Sequence, residues 1–125
     1  MMMTRDLMLK DVVTTNGKVT VKETMELLFK RHIGSIVIVD DSQKCIGIFT
    51  ERDAIRVIAQ NIPLDEPVEK TMTKNPFTIN EDSTFEEAKY VIKSAKIRHQ
   101  PVIDKNGKIV GLISVRTILD ELTGL

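Results

Sequence analysis

Cysteine occurs once in this chain, at Cys45, and tryptophan not at all. A single thiol excludes an internal disulfide framework and any zinc site built on several cysteines. Aromatic residues make up 4% of the sequence, too few for a platform that stacks single-stranded bases. Net charge is missing too, because 18 basic side chains balance 18 acidic ones. Affinity for a phosphate backbone rests on clustered Lys and Arg, so nucleic acid is not an expected partner. No apolar run approaches the roughly 20 residues that span a bilayer. The opening Met-Met-Met-Thr-Arg-Asp lacks the apolar stretch of a secretory signal. Zinc-ligand spacing, a Walker-type glycine loop and a serine elbow are all absent. The expectation is a cytoplasmic protein with no membrane contact, no metal, no required cofactor and no enzymatic activity. What is present fits a globular chain: 42% of the 125 residues are hydrophobic and 29% charged. That length allows one ordinary domain, or two very small units sharing a core.

The positive signal is internal repetition. Shifted by 64 residues, the sequence falls into register with itself without a gap. Met8 meets Met72, Thr14 meets Thr78, Asn16 meets Asn80, Thr20 meets Thr84 and Glu23 meets Glu87. Farther on, Ile33 meets Ile97, Asp40 meets Asp104, Gly47 meets Gly111 and Arg52 meets Arg116. Apolar character persists where identity is lost, as at Ile38/Val102, Phe49/Ile113 and Ile55/Leu119.

Both copies read as β-α-β-β-α. A short extended stretch (Val12 to Thr14; Phe77 to Ile79) leads to a turn and then to Thr20-Val-Lys-Glu23 or Thr84-Phe-Glu-Glu87. Each tetrapeptide is a capping box, hydroxyl and carboxylate satisfying free N–H groups at a helix start. Helical spacing points Val21, Thr24, Met25, Leu28 and Phe29 to a core in the first copy, and Phe85, Ala88, Val91 and Ile92 in the second. Two β-rich runs follow, Ser35 to Val39 with Cys45 to Phe49, then Gln100 to Ile103 with Lys108 to Ile113. A last helix starts near Thr50 or Ser114. The expected fold class is α/β (α+β), with units at residues 7–60 and 68–123 and a linker at 61–67. A unit near 60 residues buries little surface alone, so the halves are expected to pack as one pseudo-two-fold module. Its outward helical faces are candidates for homodimer contacts.

The repeated unit resembles the cystathionine-β-synthase (CBS) domain, and the whole chain resembles a tandem CBS pair, or Bateman module. The resemblance rests on the Met8/Met72 segments and on Ile33-Gly-Ser-Ile-Val-Ile-Val-Asp40 with Ile97-Arg-His-Gln-Pro-Val-Ile-Asp104. It rests further on Ile46-Gly-Ile-Phe-Thr-Glu-Arg-Asp53, echoed by Val110-Gly-Leu-Ile-Ser-Val-Arg-Thr117. It covers about Leu7 to Leu122, leaving no room within the chain for a catalytic domain. It implies two clefts between the halves and a regulatory adenosyl ligand: AMP, ADP, ATP or S-adenosylmethionine. Sensing would then pass to a separate regulated protein of unknown identity. An adaptor with empty clefts is the rival from another class, and nucleic-acid binding a weaker one.

Thr50-Glu-Arg-Asp53 has suitable chemistry by itself. An ionised Asp is acceptor-only, so its oxygens suit two adjacent ribose hydroxyls, while the helix start favours an anion. A plain helix cap is the structural alternative. The second copy replaces Asp53 by Thr117, so Ser114, Arg116, Thr117 and Ile97 define a weaker second cleft. Arg98 and His99 stand where the first copy has Gly34 and Ser35. By the family's geometry they would meet phosphate at the Asp53 cleft; the alternative is an exposed basic pair beside a strand. Arg52 could touch phosphate or simply be solvated. Val13, Ile33 and Gly34 line the base by resemblance and are core positions by default. Recurrence of Gly47 and Gly111 in β-rich runs points to a structural need. Cys45 aligns with Ile109 and reads as a buried hydrophobe, and His32 aligns with Lys96 at an exposed helix end.

Overall fold

Twice along the chain a helix capped by threonine is followed by a β-hairpin that feeds a second helix. The computed structural model describes residues 1–123. The elements are α1 (Thr4–Leu7), β1 (Thr14–Thr15), α2 (Val21–Arg31), β2 (Ser35–Val39), β3 (Cys45–Thr50) and α3 (Glu51–Ala59). After a 3-10 turn at Val68–Lys70 come β4 (Thr73–Lys74), β5 (Ile79–Asn80), α4 (Phe85–Ala95), β6 (His99–Ile103), β7 (Ile109–Ser114) and α5 (Val115–Thr123). The mixed α/β class expected from the sequence is the one observed. Of the described helices, none is long and apolar enough to cross a membrane.

The compact units are offset from the sequence repeats by one segment. One unit is Val13–Pro76; the other joins Met1–Val12 to the chain from Phe77 onward. Each repeat thus has its sheet edge completed by the segment that precedes the other repeat.

In the unit Val13–Pro76 the sheet order is β1-β2-β3-β4, parallel between β1 and β2 and antiparallel elsewhere. Thr20 caps α2 by accepting from the Glu23 N–H at 3.0 Å, and the Glu23 carboxylate reaches back to the Thr20 N–H. Val21 and Leu28 from α2 pack with Ile36, Ile38, Phe49, Val57 and Val68 as the core. Phe29, expected to face this core, is instead 81% exposed. The apolar arc on α2 is wider than the sheet it covers: Met25 is half-buried and Phe29, about 100° round from the buried Leu28, lies on its flank. The stretch read as a linker is docked: the Glu66 and Leu64 carbonyls accept from the Val21 and Lys22 N–H groups, each at 2.9 Å.

In the other unit the order is β5-β6-β7, with the same parallel and antiparallel pairings. Leu9 completes the edge through two backbone bonds of 2.9 Å with Leu112. This is the place that Thr73 takes opposite Ile48 in the first unit. Phe85, Ile92, Val102 and Ile113 form the core, with Leu7 and Met8 against it. Thr84 accepts from the Glu87 N–H at 3.1 Å, but the expected reciprocal bond of a capping box is not made; the Glu87 carboxylate takes the Thr84 hydroxyl instead.

Gly47 and Gly111 are required by a close approach. A Cβ on Gly47 would lie within 3.0 Å of the Met72 sulfur, and one on Gly111 would meet the Met8 sulfur as closely. The two repeated methionines and the two repeated glycines are therefore one packing device used twice. Gln100 is the opposite case, a break in symmetry. It is fully buried opposite Ile113, where the first repeat has Ile36, and its side-chain amide has no hydrogen-bond partner among the described residues.

Gly47→Ala is expected to lower stability by about 1–3 kcal/mol through overpacking. Adding Met72→Ala should restore part of that loss, a coupling that a double-mutant cycle in urea measures. Gln100→Ile should raise stability by about 1–2 kcal/mol, since an unpaired buried amide costs its desolvation. A fall in the urea midpoint would refute that reading.

Candidate functional site

β3 runs straight into α3 at Thr50, whose extended backbone (φ −116°, ψ 171°) makes it the N-cap. Its hydroxyl accepts from the Asp53 N–H at 3.3 Å, and Asp53 Oδ2 accepts from the Thr50 N–H at 2.9 Å. The Thr50 hydroxyl lies 3.2 Å from the same oxygen. The cap reading and the site reading of Thr50 and Asp53 thus describe the same atoms. Asp53 is 6% exposed, and a buried carboxylate needs donors or a cation. It has both. Thr73 Oγ1 donates at 3.1 Å to Oδ1, and Arg56 Nη2 stands 3.4 Å from Oδ1 while also donating to the Thr71 carbonyl.

Other residues singled out in the sequence gather round the same corner of this unit. Ser35 is paired with Thr50, and the Gly34 carbonyl accepts from the Glu51 N–H at 3.1 Å, tying the start of β2 to the start of α3. Val13 accepts from the Val37 N–H at 3.1 Å and, with Ile33, packs against the core as a half-buried residue. Arg52 points into solvent on the exposed side of α3.

The second repeat builds the same corner from neutral groups. Ser114 and Thr117 cap α5 reciprocally, through Thr117 N–H to Ser114 Oγ at 3.2 Å and Ser114 N–H to Thr117 Oγ1 at 3.3 Å. The Arg98 carbonyl accepts from the Val115 N–H at 2.9 Å, as Gly34 does in the first repeat. Arg98 and Arg116 are exposed; Ile97, His99 and Thr117 are half-buried, and His99 is paired with Ser114. With Thr117 in place of the carboxylate, this corner offers two hydroxyl groups and a helix start beside His99.

Three residues of the first corner are absent from the sequence reading: Arg56, Thr71 and Thr73. Arg56 had a visible signal, since residues three apart on a helix are neighbours. Thr71 and Thr73 had none, because their approach to Asp53 depends on how the chain folds back after residue 60. Cys45 is half-buried, its thiol pushed up from the ordinary value by burial, with the Gly47 carbonyl bond opposing. Two surface hollows of about 290 and 470 Å³ flank α2, and neither is lined by Thr50 or Asp53. Among the described residues no cluster of three His, Cys, Asp or Glu side chains is placed to hold a metal.

Comparison with known proteins gives the repeat its family. The CBS domain model matches residues 5–60 and again 68–124. A 17.7 kDa protein of Acidianus ambivalens is 35% identical over 111 residues, covering 89% of this chain and 67% of its own length. Inosine-5'-monophosphate dehydrogenase of Aquifex aeolicus is 37% identical over 113 residues, but this chain spans only 23% of that enzyme. Among solved structures, the CBS domain pair of protein MJ0100, in complex with 5'-methylthioadenosine and S-adenosyl-L-methionine, superposes with a TM-score of 0.90 at 27% identity. That match covers 98% of this chain and 96% of the other. A CBS domain protein from Pyrobaculum aerophilum, complexed with AMP, gives 0.88 at 27% identity over 99% and 100% of the two chains. With both repeats matched and the fold shared from end to end, this chain belongs to the CBS domain family as a tandem pair of CBS domains.

Proposed function

We propose that the chain is a non-catalytic sensor of an adenosyl ligand and that Thr50 and Asp53 hold the ribose. The buried Asp53 carboxylate at the head of α3 carries this reading: its oxygens are acceptors only, which suits a vicinal diol. Support comes from relatives of the same fold that were solved with AMP or with S-adenosylmethionine and methylthioadenosine. Val13, Ile33 and Gly34 are the proposed base-lining positions, and Arg52, Arg98 and His99 the proposed phosphate contacts. Ile97, Ser114, Arg116 and Thr117 form the weaker second site, because a threonine hydroxyl replaces the charged acceptor. ADP and ATP are further candidate ligands. Binding would act on a regulated protein in the cytoplasm by favouring one conformation over another, to the extent of its difference in affinity.

A scaffold that binds no nucleotide is the second reading. It is favoured by one observation: the donors around Asp53 are already in place within the protein. Thermal denaturation with AMP, ADP, ATP and S-adenosylmethionine decides between them. A ligand at 100 times its dissociation constant adds about 2.7 kcal/mol. No shift with any of the four would leave the scaffold reading standing. Asp53→Ala is expected to weaken the bound nucleotide by about 1.5–3 kcal/mol, the value of a hydrogen bond to a charged group. Asp53→Asn, which keeps an acceptor for the cap, controls for lost helix stability, and Thr117→Ala should change calorimetric affinity little.

Self-association is proposed through the outer faces of α3 and α5. Ile55 and Ile58 are 70% and 57% exposed, and their repeat partners Leu119 and Leu122 are 53% and 69% exposed. Apolar residues exposed at matched positions in both copies mark an interaction surface. Sedimentation should show a dimer that Ile55→Glu with Leu119→Glu converts to a monomer; a monomeric parent protein would end this proposal.

A further inference from the structure

Asp53 already holds a pair of hydroxyls. Thr50 Oγ1 lies 3.2 Å from one carboxylate oxygen and Thr73 Oγ1 lies 3.1 Å from the other. Two hydroxyl donors on one carboxylate reproduce what a ribose diol would present to it. Thr50 belongs to the α3 cap, but Thr73 comes from β4, a two-residue strand on the sheet edge. Arg56 ties the same carboxylate to the same segment through the Thr71 carbonyl. Backbone pairing fixes β4 at only two positions, Gly47–Lys74 and Ile48–Thr73. Thr71 and Met72 are held by the Val68 carbonyl and by Met72 packed on Gly47, so the tie to Asp53 is the added restraint at Thr73. Thr73 is exposed whereas Asp53 is buried, so Thr73 is the partner free to withdraw.

Of this arrangement the other repeat keeps only the cap hydroxyl, Ser114 in place of Thr50. Asp53, Arg56, Thr71 and Thr73 correspond to Thr117, Asp120, Leu7 and Leu9. The edge segment there pairs through its backbone and is packed by Leu7 and Met8 on the core. Thr73 and Asp53 occur together in one repeat and are replaced together, by Leu9 and Thr117, in the other.

We propose that Thr73 is a built-in competitor for the ribose, occupying Asp53 in the empty protein and displaced when a nucleoside binds. This rests on the assignment of Asp53 as the ribose acceptor. Displacement frees β4, so occupancy of the site is reported in the segment Thr71–Lys74, just before the chain passes at Phe77 into the other compact unit. Thr73 also taxes affinity, because the ligand-competent state is the fraction in which Asp53 has been released.

The test uses the full chain as wild type, Thr73→Val and Thr73→Ser, with AMP as the probe. Hydrogen exchange of a peptide spanning residues 71–75 is read beside calorimetric affinity. Without AMP, Thr73→Val should exchange about tenfold faster there than wild type, the order expected for loss of a bond to a charged group, while Thr73→Ser should match wild type. AMP should accelerate the segment in wild type and add nothing in Thr73→Val, which should bind AMP about fivefold more tightly. Weaker AMP binding by Thr73→Val would overturn the proposal by making Thr73 a ligand contact. So would AMP that binds wild type with heat yet leaves the segment unchanged or slows it, a result that leaves the Asp53 assignment intact. Failure of both AMP and S-adenosylmethionine to bind any of the three proteins would overturn the assignment and the competitor together.

Discussion

Both sheets depend on one close approach, a methionine laid over a glycine in the antiparallel hairpin. Met72 lies on Gly47 and Met8 on Gly111, each nearer than a Cβ would allow. Because the glycine offers bare backbone, the methionine's segment can pair along the hairpin edge and close the sheet there. The segment doing so in each unit precedes the other repeat in the sequence. On its way there the chain after α3 is held at the start of α2 by the Leu64 and Glu66 carbonyls and to the Val19 carbonyl by the Val68 N–H. A unit of this size gains substantially from one more strand and one more buried side chain, Val68 in the first unit being fully buried.

That edge segment also reaches the chemistry of the site. Where Met72 brings the chain alongside β3, the next residue is Thr73, and its hydroxyl falls on the Asp53 carboxylate. The second unit repeats the geometry with Met8 and Leu9 but offers Thr117 in place of the carboxylate and a leucine in place of the hydroxyl. Duplication has kept the scaffold and let its two corners diverge. One corner is a buried anion with a cation and three hydrogen-bond donors around it; the other is a neutral cap. A low-dielectric setting magnifies that contrast, because the energy of a buried charge depends on every partner within reach.

Much of the fold was legible because the repeat and the helix caps are local. Thr20 with Glu23 and Thr50 with Asp53 sit three residues apart, so a capping box can be read directly, and alternating apolar runs mark the hairpins. Phe29 shows where this reasoning fails: helical phase orders side chains round α2 but does not give the width of the sheet opposite. Gln100 shows another limit, since nothing local says that a strand glutamine is fully buried at a position its repeat partner fills with isoleucine. The candidate corner was half legible. Thr50, Asp53, Gly34 and Ser35 lie on elements that the periodicity located, whereas Thr71 and Thr73 approach from outside the repeat to which Asp53 belongs.

That this protein is a duplication is evident without any coordinates. The β-α-β-β-α order of each copy was legible too, though not α1 or β4, as were the family resemblance and the placing of Asp53 at the head of α3 without a counterpart in the second repeat. These follow from patterns a few residues long or from a constant offset of 64. Packing of the whole chain sets which segment closes which sheet, and hence that Gly47 and Gly111 each answer a methionine. It alone decided that the Asp53 carboxylate is buried and shared with Arg56 and Thr73. The physical reason is that burial and long-range pairing belong to the packed chain: Thr73 is 20 residues from Asp53 in sequence and 3.1 Å from it in space.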